Sequence, residues 1–288
     1  MKPLWLTIAP VMFLGLWSGG YVVAKFGIRH AEPFTLLSLR YGLVVILMGV
    51  LFVALRLHWP KTRAEWINIA IVGALMQAVY FGCSYLAFEA KVASGTVALI
   101  MALQPILVAI LAPSLTGEIV GWRRWIGLIL GLLGTAIVIG ARLEIVTPSL
   151  LGLSFAALGL CGMIGATLWE KRFGAGQHPV TTSLIGFAAG LIVILPLALL
   201  LESQTISWNW ELGWALGYLV IGNSLIATSL LLAMIRVGEV SRVSALLFLV
   251  PPVAALLAWL TLGEVMPPMA WVGMAVAIVG VLIATRAR

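Results

Sequence analysis

Long apolar runs separated by short polar punctuation dominate the chain. Ten runs stand out, at residues 4–24, 34–55, 65–88, 93–115, 122–141, 149–170, 180–201, 212–235, 241–262 and 268–285. Each is near the length of about 20 residues that a helix needs to cross roughly 30 Å of hydrocarbon. The breaks fall at His30–Pro33, His58–Arg63, Glu89–Lys91, Gly117–Arg124, Arg142–Pro148, Lys171–Pro179, Glu202–Glu211, Arg236–Arg242 and Gly263–Pro268. Within a run the apolar residues are continuous rather than alternating, which predicts helices and excludes a closed β-barrel. The predicted fold is an all-α membrane protein with ten transmembrane helices, and no connection between runs is long enough to hold a domain outside the bilayer.

The punctuation repeats. A shift of 146 residues carries Lys25 onto Lys171, Pro33 onto Pro179, Thr35 onto Thr181 and Pro105 onto Pro251. The same shift carries Gly117–Glu118 onto Gly263–Glu264, Trp125 onto Trp271, Gly127 onto Gly273, Gly134 onto Gly280 and Arg142 onto Arg288. Matched Leu would mean little in so apolar a chain, but matched Pro, Trp, Lys and Gly-Glu mark an internal repeat. The two units are expected at 1–142 and 147–288. Each holds five spans, so the second must enter the membrane in the opposite sense. Such inverted repeats are typical of secondary transporters, with a binding site near the midplane between the halves.

Composition agrees with the pattern, being 62% hydrophobic and only 9% charged. The net charge of +7 forms no patch for nucleic acid, because the basic residues stand singly or in pairs between spans. Twelve of the seventeen Lys and Arg fall on the side of the two termini and four on the other, with Arg40 inside the second span. Positive charge stays cytoplasmic, which predicts both termini inside and a multi-pass protein of the bacterial cytoplasmic membrane. The N-terminal run reads as a retained first helix rather than a cleaved signal. Cys83 and Cys161 sit inside apolar runs and suggest no disulfide.

The order Pro105, Gly117–Glu118, Trp125-x-Gly127, Gly131 and Gly134, met again as Pro251, Gly263–Glu264, Trp271-x-Gly273 and Gly280, resembles the tandem EamA domains of the drug/metabolite transporter superfamily. The likeness covers essentially the whole chain. In length and in its aromatic first helix the chain is most similar to the bacterial YddG-type amino-acid exporters. The resemblance implies export of small metabolites by alternating access, through a path surrounded by spans one, three, four, six, eight and nine.

Candidate transport residues follow from polar and aromatic side chains at membrane depth. Gln77, Tyr80 and Ser84 share one face of a regular helix, Asn223 is central to span eight, and Ser244 precedes Phe248 by one turn on span nine. Trp17 lies well inside span one, whereas Trp59, Trp66, Trp122, Trp125, Trp169, Trp208, Trp210 and Trp271 fall near span ends, where an aromatic belt is expected. Met163 is the repeat partner of Trp17. Trp17 with Tyr80 and Phe248, brought near by the implied arrangement, would offer flat surface to a hydrophobic side chain. Pro105 and Pro251 should release the carbonyls of Met101 and Leu247, either as paired hinges beside the path, with Met101 lining it, or as static kinks. The polar residues have a plainer role open to them, as hydrogen bonds between helices.

Arg40 either pairs with Glu89 or recognises a substrate carboxylate. Glu118 and Glu264 are expected to organise turns. No Asp or Glu occupies the middle of a span, which favours a facilitative exporter over proton exchange through a buried carboxylate. His30, His58 and His178 lie in loops, and no buried acidic pair or metal cluster is visible, so neither an enzyme nor a cofactor is expected. The expected partners are a small-molecule substrate and the lipid bilayer, with an aromatic or hydrophobic amino acid as first choice of substrate and a hydrophobic drug or cation as the alternative. Glycine stripes in spans five and ten point to packing within the chain, in a monomer or weak dimer.

Overall fold

The computed structural model describes residues 5–92, 94–141, 149–174, 176–238, 240–262 and 266–286. All its regular elements are helical. In chain order they are α1 (Trp5–Gly27), α2 (Pro33–Ala54), α3 (Arg63–Glu89), α4 (Ser94–Met101 continued as Gln104–Thr116), α5 (Trp122–Gly140), α6 (Leu150–Phe173), α7 (Pro179–Leu201), α8 (Trp210–Val237), α9 (Val240–Ala245, Leu246–Leu249 and Val250–Leu262 in succession) and α10 (Pro268–Arg286). Nine of these stretches are long and apolar enough to span a bilayer among the described residues, and α1 contributes a shorter apolar core, Ile8–Ala24. Gly263, Glu264, Arg142 and Arg288 lie outside the described residues.

Helix starts are written locally. Pro33 and Pro179 occupy the first turns of α2 and α7, where a missing N–H costs nothing. Thr62, Ser149 and Asn209 accept hydrogen bonds from the first turns of α3, α6 and α8. The start of α2 has a more distant cap: Glu202, at the end of α7, accepts from Phe34 N, Thr35 N and Thr35 Oγ1, each at 2.7 Å. That contact sets the start of α2 beside the end of α7, so the two helices run antiparallel.

Glycine sets the closest approach, between α5 and α10. A Cβ built on Gly127 would lie 2.7 Å from the Gly280 carbonyl, and one on Gly134 would lie 2.6 Å from that of Gly273. Low numbers in α5 meet high numbers in α10, so this pair is antiparallel too, and the 146-residue shift simply exchanges its two contacts. The glycine stripes therefore pack against each other within the chain, through the small-residue mechanism that works in lipid. Other neighbours obey the same exchange: α1 packs on α8 and α9 as α6 packs on α3 and α4. These exchanges are those of a pseudo-two-fold rotation about an axis in the membrane plane, with buried side chains inside the bundle and residues such as Val53 and Leu200 exposed on its outside.

Irregular turns recur at matched places. Ala74–Gly82 in α3 and Tyr218–Ala227 in α8 wind as π-helix, a form concentrated at functional sites. The wide turns displace carbonyls, and hydroxyls take them up: Tyr41 donates to Gln77 O at 2.7 Å and Thr228 to Asn223 O at 3.1 Å. Gln77 and Asn223 are themselves 146 residues apart.

The matched prolines differ from expectation. Pro105 stands in the first turn of the second α4 segment, after a break at Ala102–Leu103. Pro251 opens the last α9 segment after a 3₁₀ turn at Leu246–Leu249. Proline here begins a helix, where its ring is tolerated, instead of kinking a continuous one. The α4 span is interrupted at Ala102–Leu103, whereas the α9 span tightens through Leu246–Leu249 without leaving the helix.

Candidate functional site

A cavity opens between α1, α2, α3 and α8. Its walls are Trp17, Gly20, Tyr21 and Ala24 of α1, Arg40 of α2, Tyr80, Phe81, Ser84, Tyr85 and Phe88 of α3, and Asn223 of α8. At about 1.5 Å per residue, Trp17 and Tyr80 lie near mid-depth, while Ala24 and Phe88 approach the end that carries the α1–α2 and α3–α4 connections. The cavity thus runs from the membrane centre toward the end opposite the chain termini. Its outline encloses about 330 Å³, and the free room inside is that of a water molecule or so.

Aromatic rings form the inner wall. Trp17 and Tyr80 are stacked with centroids 6.3 Å apart, and Phe81 lies 5.8 Å from Trp17 and 4.7 Å from Tyr80. The hydroxyls of Tyr21 and Tyr80 meet at 2.5 Å, tying α1 to α3. Gly20 is the reason α1 can come so near α8: a Cβ there would sit 2.9 Å from Asn223 Cγ.

Arg40 is the one charged residue of the lining among the described residues. It is fully buried about two turns into α2, and an ionised side chain inside a membrane span is costly and is found facing the bundle interior or a partner. Its Nε donates to Ser224 Oγ and its Nη2 to Asn223 Oδ1, both at 2.7 Å. The guanidinium stacks 4.5 Å over Phe81, a favourable cation–π geometry. Nη1 makes no hydrogen bond of good geometry, and the Tyr85 hydroxyl interacts with the guanidinium without another partner. The expected pairing with Glu89 is not formed: Arg40 turns inward to α8 because neutral acceptors there satisfy two of its donors without a counter-charge. No described carboxylate lines the cavity.

The candidates read from sequence divide. Trp17, Tyr80, Ser84 and Asn223 come together in the cavity. Ser84 donates to Tyr80 O at 2.6 Å. Met101 ends the first α4 segment just behind Ser84, since a Cβ on Gly159 would lie 3.1 Å from Met101 Cε and 3.4 Å from Ser84 Oγ. Gln77 is not in the lining. The i→i+5 winding of α3 takes it off the face of Tyr80 and Ser84 and packs its stem against Gly190 of α7. Met163 is buried in α6 and its carbonyl accepts from Thr167 at 2.7 Å. Ser244 accepts from Gln104 Nε2 at 3.3 Å, and Gln104 reaches Thr167 at 3.5 Å, which links α4, α6 and α9. Phe248 is not beside Trp17 and Tyr80. The 3₁₀ turn of α9 points it onto Gly131 of α5, among Leu128 and Val281. Tyr85 and Phe88 escaped notice because aromatic residues near a span end look like a headgroup belt.

The other end of the molecule is held by ion pairs. Glu170 of α6 accepts from Arg236 Nε of α8, and Arg236 also donates to Gln177 O and Thr182 Oγ1 at 3.1 Å. Lys171 donates to Gly238 O at 2.6 Å. Glu118, expected to shape a turn, pairs across the α4–α5 connection with Arg124 at 2.8 Å and also accepts from Ser241 at the start of α9. The repeat partners of Glu170 and Arg236 are Ala24 and Ala90, so that pair has no copy at the cavity end, where His30 meets Glu211 at 3.0 Å. Among the described residues no three His, Cys, Asp or Glu are grouped to hold a metal.

Comparison with known proteins bears on what such a cavity serves. Residues 3–140 and 150–286 each match the EamA-like transporter family. The chain is 25% identical to "Uncharacterized inner membrane transporter YedA" of Escherichia coli K12, over 95% of this chain and 88% of that protein. It is 24% identical to the "Probable terminal-alkyne amino-acid exporter" of Streptantibioticus cattleyicolor, over 99% of this chain and 94% of the relative. A crystal structure of 20% identity superposes with a TM-score of 0.80 over 97% of this chain and 96% of its own, which is a likeness of fold.

Proposed function

The chain belongs to the EamA-like transporter family and is a multi-pass membrane transporter, and from that premise we propose that it exports small amphipathic metabolites, with aromatic or hydrophobic amino acids as the substrate class. Export proceeds by alternating access between units 1–142 and 147–288, in the bacterial cytoplasmic membrane with both termini inside. The observation that carries this reading is the cavity itself. It lies at membrane depth between helices of both repeats and has flat apolar walls for a side chain and, among the described residues, one cation for a carboxylate, while the ion pairs Glu170–Arg236 and Glu118–Arg124 tie helices together at the terminus-bearing end. Breaking those pairs while α1 and α3 close over the Tyr21–Tyr80 contact would expose the same site to the other side. The relative described as an amino-acid exporter supports the choice of substrate.

Reconstituted protein and radiolabelled solutes test the proposal. Proteoliposomes are expected to show saturable, exchange-stimulated flux of phenylalanine or a similar amino acid, with little response to an imposed pH gradient. Flux of hydrophobic cations with no amino-acid flux contradicts the substrate assignment. Strict dependence on the pH gradient contradicts a facilitative mechanism.

A further inference from the structure

We propose that Arg40 is a carboxylate anchor and that the cavity selects substrates by their acid group, with the amino group dispensable. This assignment rests on the transport reading above and narrows it. An arginine placed about 10 Å into a membrane helix, fully buried and stacked on Phe81, is held by the neutral groups of Asn223 and Ser224. Those two bonds use Nε and Nη2 and leave Nη1 without a partner. Beside it the Tyr85 hydroxyl interacts with that same guanidinium and makes no other hydrogen bond. A guanidinium edge and a phenol together match one carboxylate, since arginine offers parallel donors at carboxylate spacing.

The described lining offers an ammonium group no counter-charge, only aromatic faces and neutral oxygens. No described carboxylate is among the lining residues, Asn223 Oδ1 already accepts from Arg40, and the face of Phe81 is already covered by the guanidinium. Beyond Arg40, toward mid-depth, the stacked rings of Trp17 and Tyr80 supply an apolar slot for a side chain. The site so described takes an apolar monocarboxylate. An amino acid qualifies through its carboxylate, and an amine of the same skeleton does not.

The test is competition in phenylalanine counterflow, with wild-type proteoliposomes and protein-free liposomes as the control. Phenylalanine, 3-phenylpropanoate and phenethylamine share one skeleton and differ only in which charged group they keep. The expected result is that 3-phenylpropanoate competes within about threefold of phenylalanine, while phenethylamine is weaker by a factor of ten or more. Equal competition by acid and amine overturns the assignment and leaves the transport reading standing. Absence of any phenylalanine counterflow brings down the transport reading, and the anchor with it. Arg40→Lys and Arg40→Gln give a second readout: Lys is expected to keep the preference for acid over amine at reduced affinity, and Gln to abolish it. A Gln variant that is folded by size exclusion and still prefers the acid overturns the assignment. If that variant does not fold, the wild-type competition decides alone.

Discussion

Glu170→Gln should open the end of the transporter that carries the termini. Glu170 is 1% exposed and its partner Arg236 20%, so the pair sits in a poorly solvated place without being fully dry. Breaking a buried pair costs about 3–5 kcal/mol, and the part-exposed guanidinium reduces that to about 2 kcal/mol. Gln keeps the size and one acceptor and removes the charge. Arg236 also holds Gln177 and Thr182, so the pair joins α6, the α6–α7 connection, α7 and α8, which must part for access from that end. If the pair exists only while that end is shut, losing about 2 kcal/mol shifts the balance about 30-fold toward opening. A cysteine at Met163, two turns deeper on α6, reports it. In a background lacking Cys83 and Cys161, labelling by a membrane-impermeant thiol reagent from the terminus-bearing side should accelerate about 30-fold. A change under threefold in folded protein refutes the latch.

Packing and capping give further expectations. Gly134→Ala places a Cβ 2.6 Å from the Gly273 carbonyl, and such overpacking should cost about 1–3 kcal/mol, read as a lower Tm in detergent. Gly140→Ala, with nothing within 4 Å of the added carbon, should leave Tm unchanged or slightly raised. Glu202→Gln removes the charge that caps α2 at Phe34 and Thr35 and should cost about 1 kcal/mol, seen as a fall of a few degrees in Tm with transport retained. Trp17→Ala and Tyr80→Ala should each raise the apparent substrate constant in proteoliposomes about tenfold or more, and unchanged constants in both would remove these rings from the path.

The parts of the fold that were readable in sequence are those with a local cause. Apolar length defined the spans, proline and capping residues mark their starts, and the matched Gly127, Gly134, Gly273 and Gly280 announced close packing within the chain, though not that α5 and α10 are each other's partner. The two halves could be aligned because proline, glycine and tryptophan have few substitutes at such positions. The site was harder to read. Grouping Gln77 with Tyr80 assumed a regular helix, and the π-winding of Ala74–Gly82 separated them. Phe248 was aimed elsewhere by a 3₁₀ turn that its sequence does not advertise. Arg40 could be recognised as an intramembrane charge, but its partners are about 180 residues away on α8, beyond the reach of any local pattern. Separations of 123 and 66 residues likewise hid Glu118–Ser241 and Glu170–Arg236.

The central claim is that substrate occupies the cavity of Trp17, Arg40, Tyr80 and Asn223. Substrate protection tests it most directly. A single cysteine at Ser84, in a background without Cys83 and Cys161, is reacted with a small thiol reagent over a range of phenylalanine concentrations. The account predicts saturable slowing of the reaction, with a half-maximal concentration equal to the transport constant of the same variant. Unslowed reaction in a variant that still transports phenylalanine would place the substrate elsewhere and contradict the account.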